Sequence, residues 1–193
     1  MKNNFLKGEY RSCFKFIRES QRYIYFSIIL FIVFALIGFF VRVPEEFSVA
    51  IVDYFKQLIE QTSGFNSLEM MGFIFSNNLQ ASFFGMIFGV FFGIFPLINT
   101  ISNGFILGFA SNLAVFENGF FSLWRLLPHG IFELPAIFIS LGLGLKIGSF
   151  VWEKNKWKIL KKYFEESVRV FVFIILPLLI IAAIIEGLLV VLI

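Results

Sequence analysis

From Val170 to Ile193 the chain runs 24 residues with a single charge, Glu186. A helix that is apolar on every side finds no soluble packing for all its faces, so this run commits the chain to a bilayer. Four further runs repeat the pattern. Ile24 to Val41 (24–41) makes a first span of about 18 residues, near the lower limit for a hydrocarbon core of about 30 Å. Residues 79–97 make the second span, 100–114 the third, 131–151 the fourth and 170–193 the fifth. The third is short, and Gly104, Gly108 and Ser111 predict a flexible helix there, kinked or half inserted. The expected fold class is all-α: a polytopic membrane helical bundle of about five transmembrane helices plus amphipathic interfacial helices, forming a single membrane domain over 1–193.

Composition supports this. The chain is 59% hydrophobic, against roughly half in soluble domains. Its 30 phenylalanines outnumber its 5 tyrosines, so its aromatic surface suits lipid more than a polar rim. Cys13 is the only cysteine, which excludes an intrachain disulfide and a cysteine metal cluster. The first apolar run follows a long charged lead and ends at Val41-Arg42-Val43-Pro44, without the small residues of a cleavage site, so it is expected to stay as an anchor.

The polar segments are informative by their charge. Residues 1–23 carry Lys2, Lys7, Arg11, Lys15, Arg18 and Arg22 against Glu9 and Glu19. Tyr10, Phe14, Ile17 and Gln21 share one helical stripe with Cys13 beside it, which predicts an amphipathic helix at the inner membrane surface. Basic and apolar residues alternate there, so no nucleic-acid arm is expected. In 42–78, Pro44, Glu45 and Glu46 open an amphipathic helix on which Phe47, Ile51, Phe55 and Leu58 keep helical spacing; Gly64 closes it. Asn66 and Glu69 form a capping box for a short helix through Phe75. Residues 115–127 form a connecting loop with an amphipathic piece, Phe120 to Leu127. Residues 152–169 hold Lys154, Lys156, Lys158, Lys161, Lys162 and Arg169. The positive-inside rule puts 1–23 and 152–169 in the cytoplasm and 42–78 outside. That requires four crossings between them, so the third segment crosses and the C-terminus lies outside.

With that topology the costly polar residues sort by depth. His129 is the only histidine. Glu133 follows it by one helical turn, so the two side chains share a face at the head of the fourth span. Pro128, Gly130 and Pro135 surround the pair and predict a broken helix. Glu186 sits roughly 10 Å deep in the fifth span. Asn77 and Asn78 open the second span, and Asn112 ends the third. All six polar groups fall in the outer half, and groups buried in lipid must find each other or water. The expectation is a cavity or crevice between the second, fourth and fifth spans. Asn99 and Asn103 are secondary polar positions in the inner half, where Lys146 can snorkel. Gly85, Gly89 and Gly93 recur every four residues and give a smooth face for close helix packing, inside the monomer or at a dimer seam.

Each feature also has a plain structural reading. His129 and Glu133 can be a hydrogen-bonded pair that pins a helix break, or a site for a polar ligand, ion or water path. As a metal site the pair is weak: His129 and Glu133 are two ligands, Glu186 is a third, and no second histidine exists. No catalytic residue and no cofactor is expected, because Ser122 and Ser140 lack support as nucleophiles.

Three stretches together resemble a known family. They are Ser76-Asn77-Asn78-Leu79, the run Ile98-Asn99-Thr100-Ile101-Ser102-Asn103-Gly104-Phe105-Ile106-Leu107-Gly108, and Leu127-Pro128-His129-Gly130-Ile131-Phe132-Glu133-Leu134-Pro135-Ala136. They resemble the stage II sporulation protein M family over about residues 10–193. The resemblance implies an integral membrane protein of about five spans. In endospore formers the family member anchors or scaffolds a peptidoglycan-degrading machine that drives engulfment. Members also occur in organisms that form no spores, archaea included. Asn78, Asn103, His129, Glu133 and Pro135 match the family's motif positions; no catalytic residue is implied.

The leading expectation is therefore a non-enzymatic multi-pass cell-membrane protein that scaffolds an envelope-remodelling assembly. Its partners would be the lipid bilayer, other membrane or envelope proteins and a second copy of itself, a homo-oligomer with the dimer as the simplest form. A transporter or channel using the outer His/Glu/Asn site is the alternative, and an intramembrane metal-assisted hydrolase the second alternative.

Overall fold

Charged segments, glycine turns and prolines cut this apolar chain into helices. The structure, a computed structural model, describes the backbone of residues 2–192 and the side chains of residues 6–123 and 133–188. Eight α-helices are described: α1 (Lys2–Glu19), α2 (Gln21–Phe40), α3 (Glu45–Thr62), α4 (Ser67–Ile87), α5 (Ile94–Asn118), α6 (Leu127–Gly148), α7 (Lys156–Val170) and α8 (Leu176–Leu192). The fold is all-α. Among the described residues, five helical stretches are long and apolar enough to cross a membrane: Gln21–Phe40, Ser67–Val90, Ile94–Asn118, Glu133–Trp152 and Lys156–Leu188.

Helix ends follow local chemistry. Asn66 Oδ1 accepts from the backbone N–H of Leu68 and Glu69, both at 3.0 Å, and Glu69 Oε2 accepts from Asn66 N–H at 2.8 Å. This box starts a helix, but the helix does not stop at Phe75. It continues as α4 to Ile87, because nothing between Phe75 and Leu79 interrupts the hydrogen-bond ladder. The next turn falls at Phe91–Gly93 instead of near Pro96. Phe92 takes φ 58° and Gly93 φ 74°, and Pro96 enters the first turn of α5, where its missing N–H leaves no carbonyl unpaired. The third span is consequently a 25-residue helix, neither short nor interrupted. α6 likewise starts at Leu127 and runs through the expected break, with Pro135 in its interior. Upstream of Pro177 the chain takes a π-helical turn over Phe171–Ile175. A proline cannot bond the carbonyl four residues back, and the wider turn absorbs that defect.

α6 is the axis of the bundle. α2 and α5 pair on one side of it, α4 and α8 on the other, and all four touch it. Glycines set these contacts. A Cβ on Gly104 would lie 2.5 Å from the Phe31 carbonyl oxygen of α2, and one on Gly108 would strike the Ala35 carbonyl. The ladder on the second span works the same way within the monomer. Gly85 faces Leu141 of α6, Gly89 abuts the Gly144 backbone, and Gly93 lies beside Gly148. Dispersion between close backbones holds such pairs in lipid, where apolar burial drives nothing.

α1 docks one face on the bundle. Its buried face is Cys13 and Phe16, packed on α7 and the π turn, and Ser20 at the elbow after it is buried as well. Tyr10 and Phe14 of the expected stripe are exposed on the bundle, and an amphipathic helix at a membrane surface turns such a stripe to the lipid. Arg169 of α7 reaches Glu9 of α1 at 2.9 Å. α3 is the exception to the packing: it has no buried residue.

Candidate functional site

Three spans meet between α4, α6 and α8, and polar side chains from each gather there. Asn78 sits four residues before Ser82 on the face of α4 that turns to α6, and it is buried. Its side-chain amide lies beside the Glu133 carboxylate on α6. Glu186 of α8 lies near Glu133. Glu186 Oε2 is buried and has no hydrogen-bond partner among the described residues. The α4–α8 contact beside it is tight, since Gly187 abuts the Met71 side chain. Two turns further along α6, Ser140 Oγ donates to the Ser82 carbonyl at 2.5 Å. The result is a small polar seam, two carboxylates and an amide, inside an otherwise apolar three-helix contact.

Not every expected member joins the seam. Asn77 points away and is exposed, because one residue turns a helical side chain by about 100° from its neighbour. Asn112 leaves it too: its Nδ2 donates to the Phe39 carbonyl at 2.9 Å and ties α5 to the end of α2. Asn103 Nδ2 donates to Asn99 O and Oδ1 at 2.9 and 2.6 Å, so these two asparagines satisfy each other on α5. The side chains of Pro128, His129 and Gly130 lie outside the described residues, so the expected His129 contact does too. Ser122 Oγ is spent on the Ala114 and Gly119 carbonyls, at 2.9 and 2.8 Å. Among the described residues no group of three or more His, Cys, Asp or Glu comes together to hold a metal.

A second polar centre was expected to be only a snorkelling lysine. Lys146 is 4% exposed. Its Nζ donates to Ser20 Oγ at 2.9 Å and lies 4.1 Å from the Phe16 ring centre and 5.1 Å from that of Tyr163. Ser20 Oγ in turn donates to the Phe16 carbonyl at 2.6 Å. The ammonium thus joins α6, the α1–α2 elbow and α7 in one cage, with two aromatic faces in place of a carboxylate. The sequence signal was present: a lone lysine inside a span and a serine where the charged lead meets the first apolar run.

Five candidate spans, four of them around the central α6, with polar groups gathered inside, define an all-α bundle suited to a multi-pass membrane protein. The chain belongs to the stage II sporulation protein M family (SpoIIM), whose family model matches residues 27–190. No curated protein and no solved structure matches it.

Proposed function

We propose that this protein is a non-enzymatic membrane scaffold that anchors an envelope-remodelling assembly. One observation carries the reading. α3 is an 18-residue amphipathic helix with no buried residue of its own. Phe47 and Ile59 on it are 65% and 67% exposed. Its four acids against one lysine (Glu45, Glu46, Asp53 and Glu60 against Lys56) make it acidic. A helix that keeps so much apolar area without covering it on its own chain is suited to presenting that area to something else. The resemblance to a family whose member anchors a cell-wall-degrading machine agrees with this role. On the charge bias of the loops, α3 faces outside, the N-terminus lies in the cytoplasm and the C-terminus outside. A homodimer would present two copies of α3.

The test is recovery of partners from membranes in mild detergent. Wild type should bring down envelope proteins. The double variant Phe47→Asn, Ile59→Asn should lose them while keeping its thermal midpoint. Recovery of no partner by the wild type, with solute flux into liposomes, would remove the scaffold reading.

A second reading rests on Glu186 Oε2, buried without a partner beside Glu133. Intramembrane carboxylates mark ion and solute pathways in other membrane proteins. Flux through liposomes carrying wild type or Glu133→Gln distinguishes it. Flux at the empty-liposome level for both would eliminate transport.

A further inference from the structure

The end of the bundle that carries the basic segment holds a crevice of about 510 Å³. Arg22 and Tyr23 from the start of α2 flank its mouth, with Trp152 from the turn after α6. Phe26, Ile94, Leu97 and Leu145 make its walls, one or two from each of α2, α5 and α6.

Close helix contacts frame it. α2 and α5 meet backbone to backbone at Gly38–Phe105, Ala35–Gly108 and Phe31–Gly104. One turn below Phe31 and Gly104 the small residues Ser27 and Thr100 continue the register, both fully buried, and beside them Phe26, Leu97 and Ile94 flank the opening. α6 closes the back, held to α2 where Gly142 meets Ile24. At the mouth, Phe92 holds φ 58° with its ring 62% exposed. A phenylalanine in the left-handed region is strained, and strain of this kind gathers at binding elements.

The chemistry of the crevice is divided. Its walls are hydrocarbon. Its mouth offers the Arg22 guanidinium, which makes no ion pair among the described residues, and the Tyr23 hydroxyl. Ser149 offers no proton, since its Oγ donates to the Lys146 carbonyl at 2.8 Å. Lys154, Lys156 and Lys158 follow directly after the mouth, and Trp152 and Trp157 are both 80% exposed. Exposed tryptophans mark the headgroup level of a bilayer, and clustered lysines there attract anionic headgroups.

We propose that this crevice binds one anionic phospholipid from the leaflet at the basic end. Its phosphate sits against Arg22 and the Tyr23 O–H, and an acyl chain lies along Phe26, Ile94, Leu97 and Leu145. A soluble phosphate would use the mouth and leave the walls empty; a zwitterionic lipid would use the walls and gain less from the cation. The proposal rests on the membrane-bundle reading alone and is independent of scaffolding and transport.

Native mass spectrometry of the full chain in neutral detergent tests it, with phosphatidylglycerol and phosphatidylcholine titrated separately. Phosphatidylglycerol should be retained more tightly. Arg22→Gln, at an exposed position that the fold does not need, should weaken its retention roughly fivefold. Leu97→Trp should fill the crevice and lower retention of both lipids, its fold checked by its thermal midpoint. Lys161→Gln, outside the crevice on α7, should change nothing. Equal retention of the two lipids, or equal losses for Arg22→Gln and Lys161→Gln, would overturn the site in favour of diffuse surface charge. Displacement of phosphatidylglycerol by millimolar inorganic phosphate would overturn it in favour of a free-anion site.

Discussion

Lys146 Nζ lies 2.9 Å from Ser20 Oγ, deep between α6 and the elbow that joins the lead helix to the first span. The hydroxyl passes its own hydrogen to the Phe16 carbonyl, so it is free to accept from the ammonium. Removing the acceptor strands a buried cation. Ser20→Ala should therefore destabilise the protein by about 1–3 kcal/mol. Lys146→Met should cost less, because the desolvated charge goes with the side chain. Thermal unfolding in mild detergent measures both. The opposite order would show that the lysine, not the hydroxyl, carries the stability of the elbow.

Gly108 and Gly72 are both helical glycines with opposite surroundings. A Cβ at Gly108 would meet the Ala35 backbone, whereas one at Gly72 would meet nothing within 4 Å. Gly108→Ala should separate α2 from α5 and cost about 1–3 kcal/mol. Gly72→Ala should be neutral or stabilise by up to about 1 kcal/mol, from helix propensity alone. The thermal midpoints of the two variants should move in different directions or by clearly different amounts.

Asn78 and Glu133 should behave as a coupled pair. Asn78→Ala leaves the buried carboxylate without its amide and should cost about 1–3 kcal/mol. Glu133→Gln keeps a polar group of the same shape and should cost less. A double-mutant cycle should show coupling of about 0.5–3 kcal/mol. Additive losses would mean the two groups do not share a hydrogen bond. Asn77→Ala, one residue away on the exposed face, serves as the control and should be near neutral.

Cys13 reports on the docking of α1. Burial pushes its thiol pKa up, and only the thiolate reacts with maleimide. Labelling of the native protein at pH 7 to 8 should be slow, and denaturant should make it fast. The sign of the pH dependence follows from the raised native pKa. The thiol's contribution to stability is complete below its ordinary value of about 8.5 and fades as pH rises through the native one. Glu9→Gln breaks the contact to Arg169 on α7. It should speed labelling modestly, since a partly exposed ion pair is worth at most about 1 kcal/mol.

Much of this protein was legible from local chemistry. Five long apolar runs predicted five spans, because a residue's hydropathy does not depend on its neighbours in space. The box of Asn66 and Glu69 was readable because its partners lie three residues apart. Helix limits were harder. Pro96 read as the end of a span, but a proline fits the first turn of a helix as well as it follows the last. Gly104 and Gly108 read as flexibility in α5, because only the backbone of α2 beside them reveals why they are small.

The sequence by itself determined that the chain is an all-α membrane bundle and which residues would be expensive to bury. Tertiary packing decided which of those residues meet. Asn77 and Asn78 are chemically identical, yet only Asn78 faces α6. Asn112 went to the Phe39 carbonyl, and Lys146 turned into an aromatic cage instead of toward water. Composition sets the cost of burying a polar group. The rotation of each helix about its own axis sets what that group finds, and this rotation is fixed by contacts with other helices, which no short-range pattern encodes.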